Sequence, residues 1–250
     1  DAFKDAFLED PAPFTLWGRV ALGVALGTAG IWATYRLGRA VAGRPAALAG
    51  AALFAVSFLA VRDAHFLYGD MGMLLCATLS AACWLRYARR GGRRDLLLGG
   101  VACGIAAAFK YNAALFGILL PAAILSRPSG RRARDLALGT SAAIAALLLA
   151  HPFLLLAPGA VLTSIRHEAK SQAWTPTWTH HFTYSLAGGI GWPLAIAALA
   201  AAGAAIARGT LRMRLFWTVP ILWYLYITLA AQPYARYVLP ILPFACAGGA

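Results

Sequence analysis

Residues 67–94 read LYGDMGMLLCATLSAACWLRYARRGGRR. One acid, Asp70, stands at the start, no charge occurs from Met71 to Leu85, and five arginines (Arg86, Arg89, Arg90, Arg93, Arg94) close the stretch. A helix needs roughly 20 mainly apolar residues to cross a hydrocarbon core about 30 Å thick. This stretch has that length, and it has the basic flank of a cytoplasmic end. Apolar runs of the same kind recur at 16–35, 46–61, 96–109, 111–125, 136–156, 186–207, 215–231 and from 237 onward. The composition agrees: 61% hydrophobic, 12% charged and a mean hydropathy of +0.68, against roughly 45–50% and 25% in soluble domains. A soluble enzyme and a disordered chain are both excluded. The expected fold is all-α, a polytopic transmembrane helix bundle of about eight to nine spans with juxtamembrane helices on the outer face. GxxxG spacing at Gly23/Gly27 and Gly100/Gly104 is expected to let helix backbones approach closely.

The net charge of +13 would point a soluble chain toward nucleic acid. Assigning alternate connections to opposite sides removes that reading. One side collects fifteen arginines against Asp95 and Asp135, and the other balances seven cations with seven acids. The entire excess lies on one face, which the positive-inside rule makes cytoplasmic. No nucleic-acid partner is implied. The four cysteines (Cys76, Cys83, Cys103, Cys246) sit inside apolar runs without metal-ligand spacing and read as packing residues. No phosphate-binding glycine loop, dinucleotide fingerprint or nucleophile elbow occurs.

Polar and aromatic residues gather on the other face. Residues 1–15 form an expected outer interfacial segment, and 157–185 an outer loop with an interfacial helix and an aromatic belt including Trp174, Trp178, His180, His181 and Tyr184. Asp70 is an acid at membrane depth, a costly placement that suits ion, metal or substrate contact; its alternative is an interfacial pair with Arg62. Asp63 is expected nearer water. Lys110-Tyr111-Asn112 separates two runs too short to span comfortably. A cation and an amide at a helix break suit a phosphate, with a snorkelling lysine as the alternative. In Gln232-Pro233-Tyr234-Ala235-Arg236-Tyr237, Arg236 can clamp an anion while Tyr234 and Tyr237 stack on a sugar or lipid head, or the group is an interfacial anchor. Among the histidines, none with metal-ligand helical spacing, His65 is placed with Tyr111, Asn112 and Tyr237 in a substrate-binding set.

Taken in order, EDPAPFTLWGRVALGVALGTAGIWATYRLGR, VRDAHFLYGDMGMLLCATLSAACWLRY, GVACGIAAAFKYNAALFGILLPAAIL, HPFLLLAPGAVLTSIRHE and ARYVLPILPF resemble the integral-membrane glycosyltransferases that use polyprenyl-phosphate sugars. This is the C-type superfamily, in its protein mannosyltransferase and aminoarabinose transferase-like branch. The resemblance implies one transmembrane domain over 1–250, truncated at both ends, in a bacterial inner membrane with a periplasmic active site. It implies transfer of a sugar from a polyprenyl-phosphate donor to a protein, lipid or glycan acceptor, with membrane lipid as a further partner. Asp70 matches an outer-loop acid near the metal or donor phosphate, and Lys110 and Arg236 fall where phosphate-facing cations stand. The general base is expected upstream of Asp1, and a divalent metal, Mg or Mn, is compatible with the chemistry. A secondary transporter or lipid-linked-sugar flippase is the rival class, with Asp70 and Lys110 as coupling or substrate sites.

Overall fold

The structure is a computed structural model and describes residues 2–128, 130–171, 178–229 and 233–250. Every regular element among them is helical. The short α1 (Ala2–Glu9) precedes α2 (Ala12–Val41), a 30-residue helix that widens into π geometry over Arg19–Val24. Then come α3 (Arg44–Ala55), α4 (Phe58–Asp63) and α5 (Asp70–Arg90), the last built from the charge-free stretch. The chain continues through α6 (Arg93–Phe109), α7 (Tyr111–Leu125, which opens as a 3₁₀ turn), α8 (Arg132–Ala150), α9 (Phe153–Leu156) and α10 (Pro158–Ser171). It ends with α11 (His181–Ile190), α12 (Trp192–Arg208), α13 (Leu211–Ile227), a 3₁₀ segment (Ala235–Ile241) and α14 (Leu242–Gly249).

Three described helices, α2, α5 and α8, are long and apolar enough to cross a membrane, and α11 with α12 adds a fourth if the bent pair is one span. That bend corrects the continuous run expected over 186–207. The pair turns through 117° at Gly191, whose φ of +84° only glycine adopts without strain. The run expected over 136–156 is likewise cut at His151. Pro152 disfavours helical geometry in the residue before it, and His151 sits at φ −133°, ψ 69°. Trp174, in the expected aromatic belt, and Gln232 lie outside the described residues, as does Asp1.

Helix α5 forms the centre. Its Met71, Leu74, Ala77, Ala81 and Trp84 are buried against α2 and α6. Trp84 Nε1 donates to Leu96 O at 3.2 Å, and Ser80 Oγ donates to Gly99 O at 2.9 Å, cross-links that fix the axial register of α5 on α6. At the arginine-rich end, Arg86 pairs with Asp95 at 2.7 Å and Tyr87 Oη donates to Asp135 at 2.7 Å. Arg127 donates to the Tyr87 and Ala88 carbonyls at 3.3 Å beside Gly91, the αL residue that ends α5.

Both GxxxG pairs are used at close approaches. Gly100 and Gly104 of α6 face α8: a Cβ at Gly100 would stand 3.0 Å from Ala142 Cβ, and one at Gly104 would meet Leu147 N at 2.9 Å and the Ala143 carbonyl closer still. Backbone cannot swing aside as a side chain can. Gly104→Val is therefore expected to destabilise the fold by about 2–3 kcal/mol, the upper range for overpacking, read as a lower unfolding midpoint in detergent. Gly203→Val makes the same chemical change where an added Cβ meets nothing within 4 Å, and should shift the midpoint little. Equal shifts would remove the α6–α8 approach as the cause.

Candidate functional site

Helix α6 stops at Phe109, and Lys110 is extended, at φ −150°, ψ 123°. Its N–H still donates to Ala106 O at 3.1 Å and its carbonyl accepts from Ala113 N at 2.9 Å, so the break is anchored on both sides. The bend presses Phe109 onto the start of α5, where only small residues leave room. A Cβ at Gly69 would lie 3.3 Å from Phe109 O, and one at Gly72 would run into the Phe109 ring. The two glycines flanking Asp70 thereby let α6 deliver Lys110 to it.

Lys110 Nζ donates to Asp70 Oδ1 at 2.5 Å. Asp70 is 2% exposed and the Lys110 side chain 30%, so the acid is enclosed while the cation keeps an open side. Asp70 also lies in the first turn of α5, where the helix dipole favours a carboxylate. The alternative pairing of Asp70 with Arg62 does not occur. Arg62 donates to its neighbour Asp63 instead, through Nε at 3.1 Å and Nη2 at 2.7 Å.

Asp63 is not nearer water, as expected from sequence, but 5% exposed. The next residue, Ala64, is seated against Gly23 and Gly27 of α2, its Cβ only 2.8 Å from where a Cβ at Gly27 would stand, and this contact turns the end of α4 inward. Burial pushes the Asp63 carboxyl up from the usual carboxylate range, and the Arg62 guanidinium pulls it part of the way back.

The 3₁₀ segment brings the last candidates to the same end. Arg236 lies between two tyrosine rings, 4.9 Å from the centroid of Tyr68 and 4.7 Å from that of Tyr234. Its Nε is buried without a hydrogen-bond partner. The Tyr237 ring stands 6.0 Å from Lys110 Nζ and 6.4 Å from the ring of the fully buried His181. Trp223 Nε1 donates to Tyr237 O at 2.8 Å, which ties the segment to α13. Asp70, Lys110 and Tyr237 thus meet, with Arg236 on the adjoining residue.

The other expected residues are placed apart. Tyr111 Oη lies 2.8 Å from His151 Nε2, on the side of α8. Asn112 Oδ1 is buried without a hydrogen-bond partner. His65 is exposed, its Nδ1 2.7 Å from Val61 O of the preceding turn, and no contact joins it to Asp70 or Lys110. Sequence reasoning missed Tyr68, one face of the Arg236 stack, although an aromatic two residues before the site acid was a legible signal.

A family model for dolichyl-phosphate-mannose-protein mannosyltransferase matches residues 13–156. The chain belongs to that family. The matched region carries Asp70, Lys110, Tyr111, Asn112 and His151, whereas Arg236 and Tyr237 lie beyond it. Two solved structures share the fold over nearly the whole chain. One is ArnT from Cupriavidus metallidurans bound to undecaprenyl phosphate: 18% identity, TM-score 0.73, covering 93% of this chain and 45% of that one. The other is ArnT from the same organism in the apo state, with 18% identity, TM-score 0.65 and coverage of 92% and 44%. The chain spans less than half the length of these structures. No curated protein matches the sequence.

Proposed function

We propose that this member of the mannosyltransferase family acts in a membrane glycosyltransferase that moves a sugar from a polyprenyl-phosphate donor to an acceptor hydroxyl on a protein, lipid or glycan. The observation that carries the reading is the Lys110–Asp70 pair at a helix break, with Tyr237 6.0 Å from the ammonium and Arg236 beside it. An ammonium has three donors, so a partly open Lys110 can keep the Asp70 carboxylate and still donate to a phosphate oxygen from its open side. Arg236 Nε and Asn112 Oδ1 are buried polar atoms without partners, and each such atom costs about 1–3 kcal/mol until something bonds to it.

In the transfer step the acceptor oxygen attacks the anomeric carbon in line while the bond to the donor phosphate breaks, and the acceptor proton passes to a base. Lys110 and Arg236 stabilise the charge growing on the departing phosphate. Asp70 holds Lys110 in position. Neither Asp63 nor Asp70 is assigned as the base, since each is already engaged by a cation. Among the described residues no three His, Cys, Asp or Glu side chains gather to hold a metal ion, and Lys110 takes one oxygen of Asp70. A divalent ion held by one carboxylate and the donor's own phosphate oxygens needs no such cluster; Asp70 would be that carboxylate, and the ion would share the charge growing on the departing phosphate.

The same proposal includes a bundle of about eight to nine spans over 1–250 in a bacterial inner membrane, with the arginine-rich end cytoplasmic. Residues 1–15 and 157–185 lie on the periplasmic side, as does the site. Single cysteines at Gly92 and Thr179, both exposed, test the sidedness in a cysteine-free background. An impermeant maleimide added to intact cells should label the second and spare the first, and equal labelling would overturn the orientation. Transfer is tested by incubating the purified full-length protein with a short-chain polyprenyl-phosphate sugar and scoring glycosylated acceptor. Movement of the donor across liposome membranes without any transfer would favour a flippase instead.

A further inference from the structure

The far end of α5 carries a second charged constellation, twenty residue steps and about 30 Å from Asp70. Arg39 lies in the last turn of α2, Arg89 and Arg90 in the last turn of α5, and Arg212 at the second residue of α13. Helix α2 is packed on α5, and α13 touches both. Arg89 lies within Coulombic reach of Arg39, Arg90 and Arg212. All four are exposed, and none has an ion pair or hydrogen bond among the described residues. The two acids of this end are already engaged, Asp95 by Arg86 and Asp135 by Tyr87.

The other arginine groups of this end, such as Arg93 with Arg94 or Arg131 with Arg132, are neighbours in sequence and need only the general bias toward cytoplasmic cations. Arg39, Arg89 and Arg212 come from widely separated points of the chain. Like charges brought together from three helices repel, weakly where water screens them, and an anion placed among them turns that repulsion into attraction. The face of α2 leading to Arg39 adds a second indication. Arg36 lies over the ring of Trp32 at 5.2 Å, and Trp32 is half exposed, two turns deeper than Arg39. An aromatic at that depth belongs at the boundary between headgroups and acyl chains.

We infer that Arg39, Arg89, Arg90 and Arg212 form a binding site for a phosphate-bearing anion, the headgroup of an anionic phospholipid or free phosphate. The site is separate from the proposed donor site and does not depend on the glycosyl-transfer reading. It can bind its anion whatever reaction, if any, the opposite end performs.

The test is native mass spectrometry of the purified protein in detergent supplied with phosphatidylglycerol or phosphatidylcholine. The wild type should retain phosphatidylglycerol in preference to phosphatidylcholine. Arg89→Gln with Arg212→Gln should weaken that retention on the order of tenfold or more, since each cation near an anionic headgroup contributes measurably. Arg93→Gln with Arg94→Gln removes the same charge from this end and should leave retention unchanged. Arg39→Gln with Arg90→Gln is the second test pair should the first fail to fold. Inorganic phosphate is titrated in parallel. Stabilisation of wild type, but not of the test pair, by phosphate alone assigns the site to a soluble anion, and stabilisation only by phosphatidylglycerol assigns it to lipid. Equal loss in test and control pairs, or no preference for either anion, would overturn the proposal.

Discussion

Asp70→Asn is expected to slow sugar transfer by on the order of a hundredfold or more, the scale on which a single preorganised electrostatic group acts. The change keeps the shape of the side chain and removes its charge. Lys110 then loses the carboxylate that holds its ammonium at 2.5 Å, and, being 30% exposed, it can turn toward water rather than toward the donor phosphate. Folding should survive, because a partly exposed lysine is not stranded by loss of its partner. Turnover and unfolding midpoint measured on the same preparation separate the two effects. Transfer at near wild-type rate would remove Asp70 from the site. Asp63→Asn is a useful comparison, since Asp63 is equally enclosed yet held by Arg62 instead of Lys110.

Lys110→Met has a different and larger signature. It leaves the Asp70 carboxylate 2% exposed and unpaired, a situation that costs about 3–5 kcal/mol when one partner of a buried pair is removed. The single variant should therefore be both unstable and unable to hold the donor. Combining Lys110→Met with Asp70→Asn removes both charges, and stability should return close to wild type. Donor binding should not return: titration with a short-chain polyprenyl-phosphate sugar should still show a loss of about 2–3 kcal/mol, the contribution of a charge-assisted contact. A stable double variant that binds donor as wild type does would make the pair purely structural.

Asp70 and Lys110 stood out as candidates because an acid and a lysine inside apolar runs violate the composition around them; Asn112, the chain's single asparagine, stood out in the same way, but its buried Oδ1 bonds to neither. Their mutual arrangement was not legible. Nothing in the spacing of Asp70 and Lys110, forty residues apart, says that they touch. That contact depends on Gly69 and Gly72 admitting Phe109, and a glycine in an apolar run reads equally well as a packing residue, a kink or a spacer. The same ambiguity hid Asp63, whose burial follows from Ala64 resting on Gly23 and Gly27 of another helix. Long apolar segments, by contrast, declared themselves as helices through length alone, while Gly191 and Pro152 decided where two of them broke. Hydropathy sums are blind to a single backbone angle.

The π segment Arg19–Val24 has a consequence for how this chain can tolerate change. A helix that bonds Ala25 N to Val20 O, five residues back, holds one residue more than an α-helix of the same rise. Deleting one residue there would restore regular α geometry over the same rise, with the helical turns before and after it keeping their faces. Gly18 would keep the Leu67 side chain against it, and Gly27 would stay beneath Ala64. This stretch should accordingly accept the loss of one residue, whereas the same loss within the regular turns of 25–41 would rotate one part of the helix by about 100° against the other.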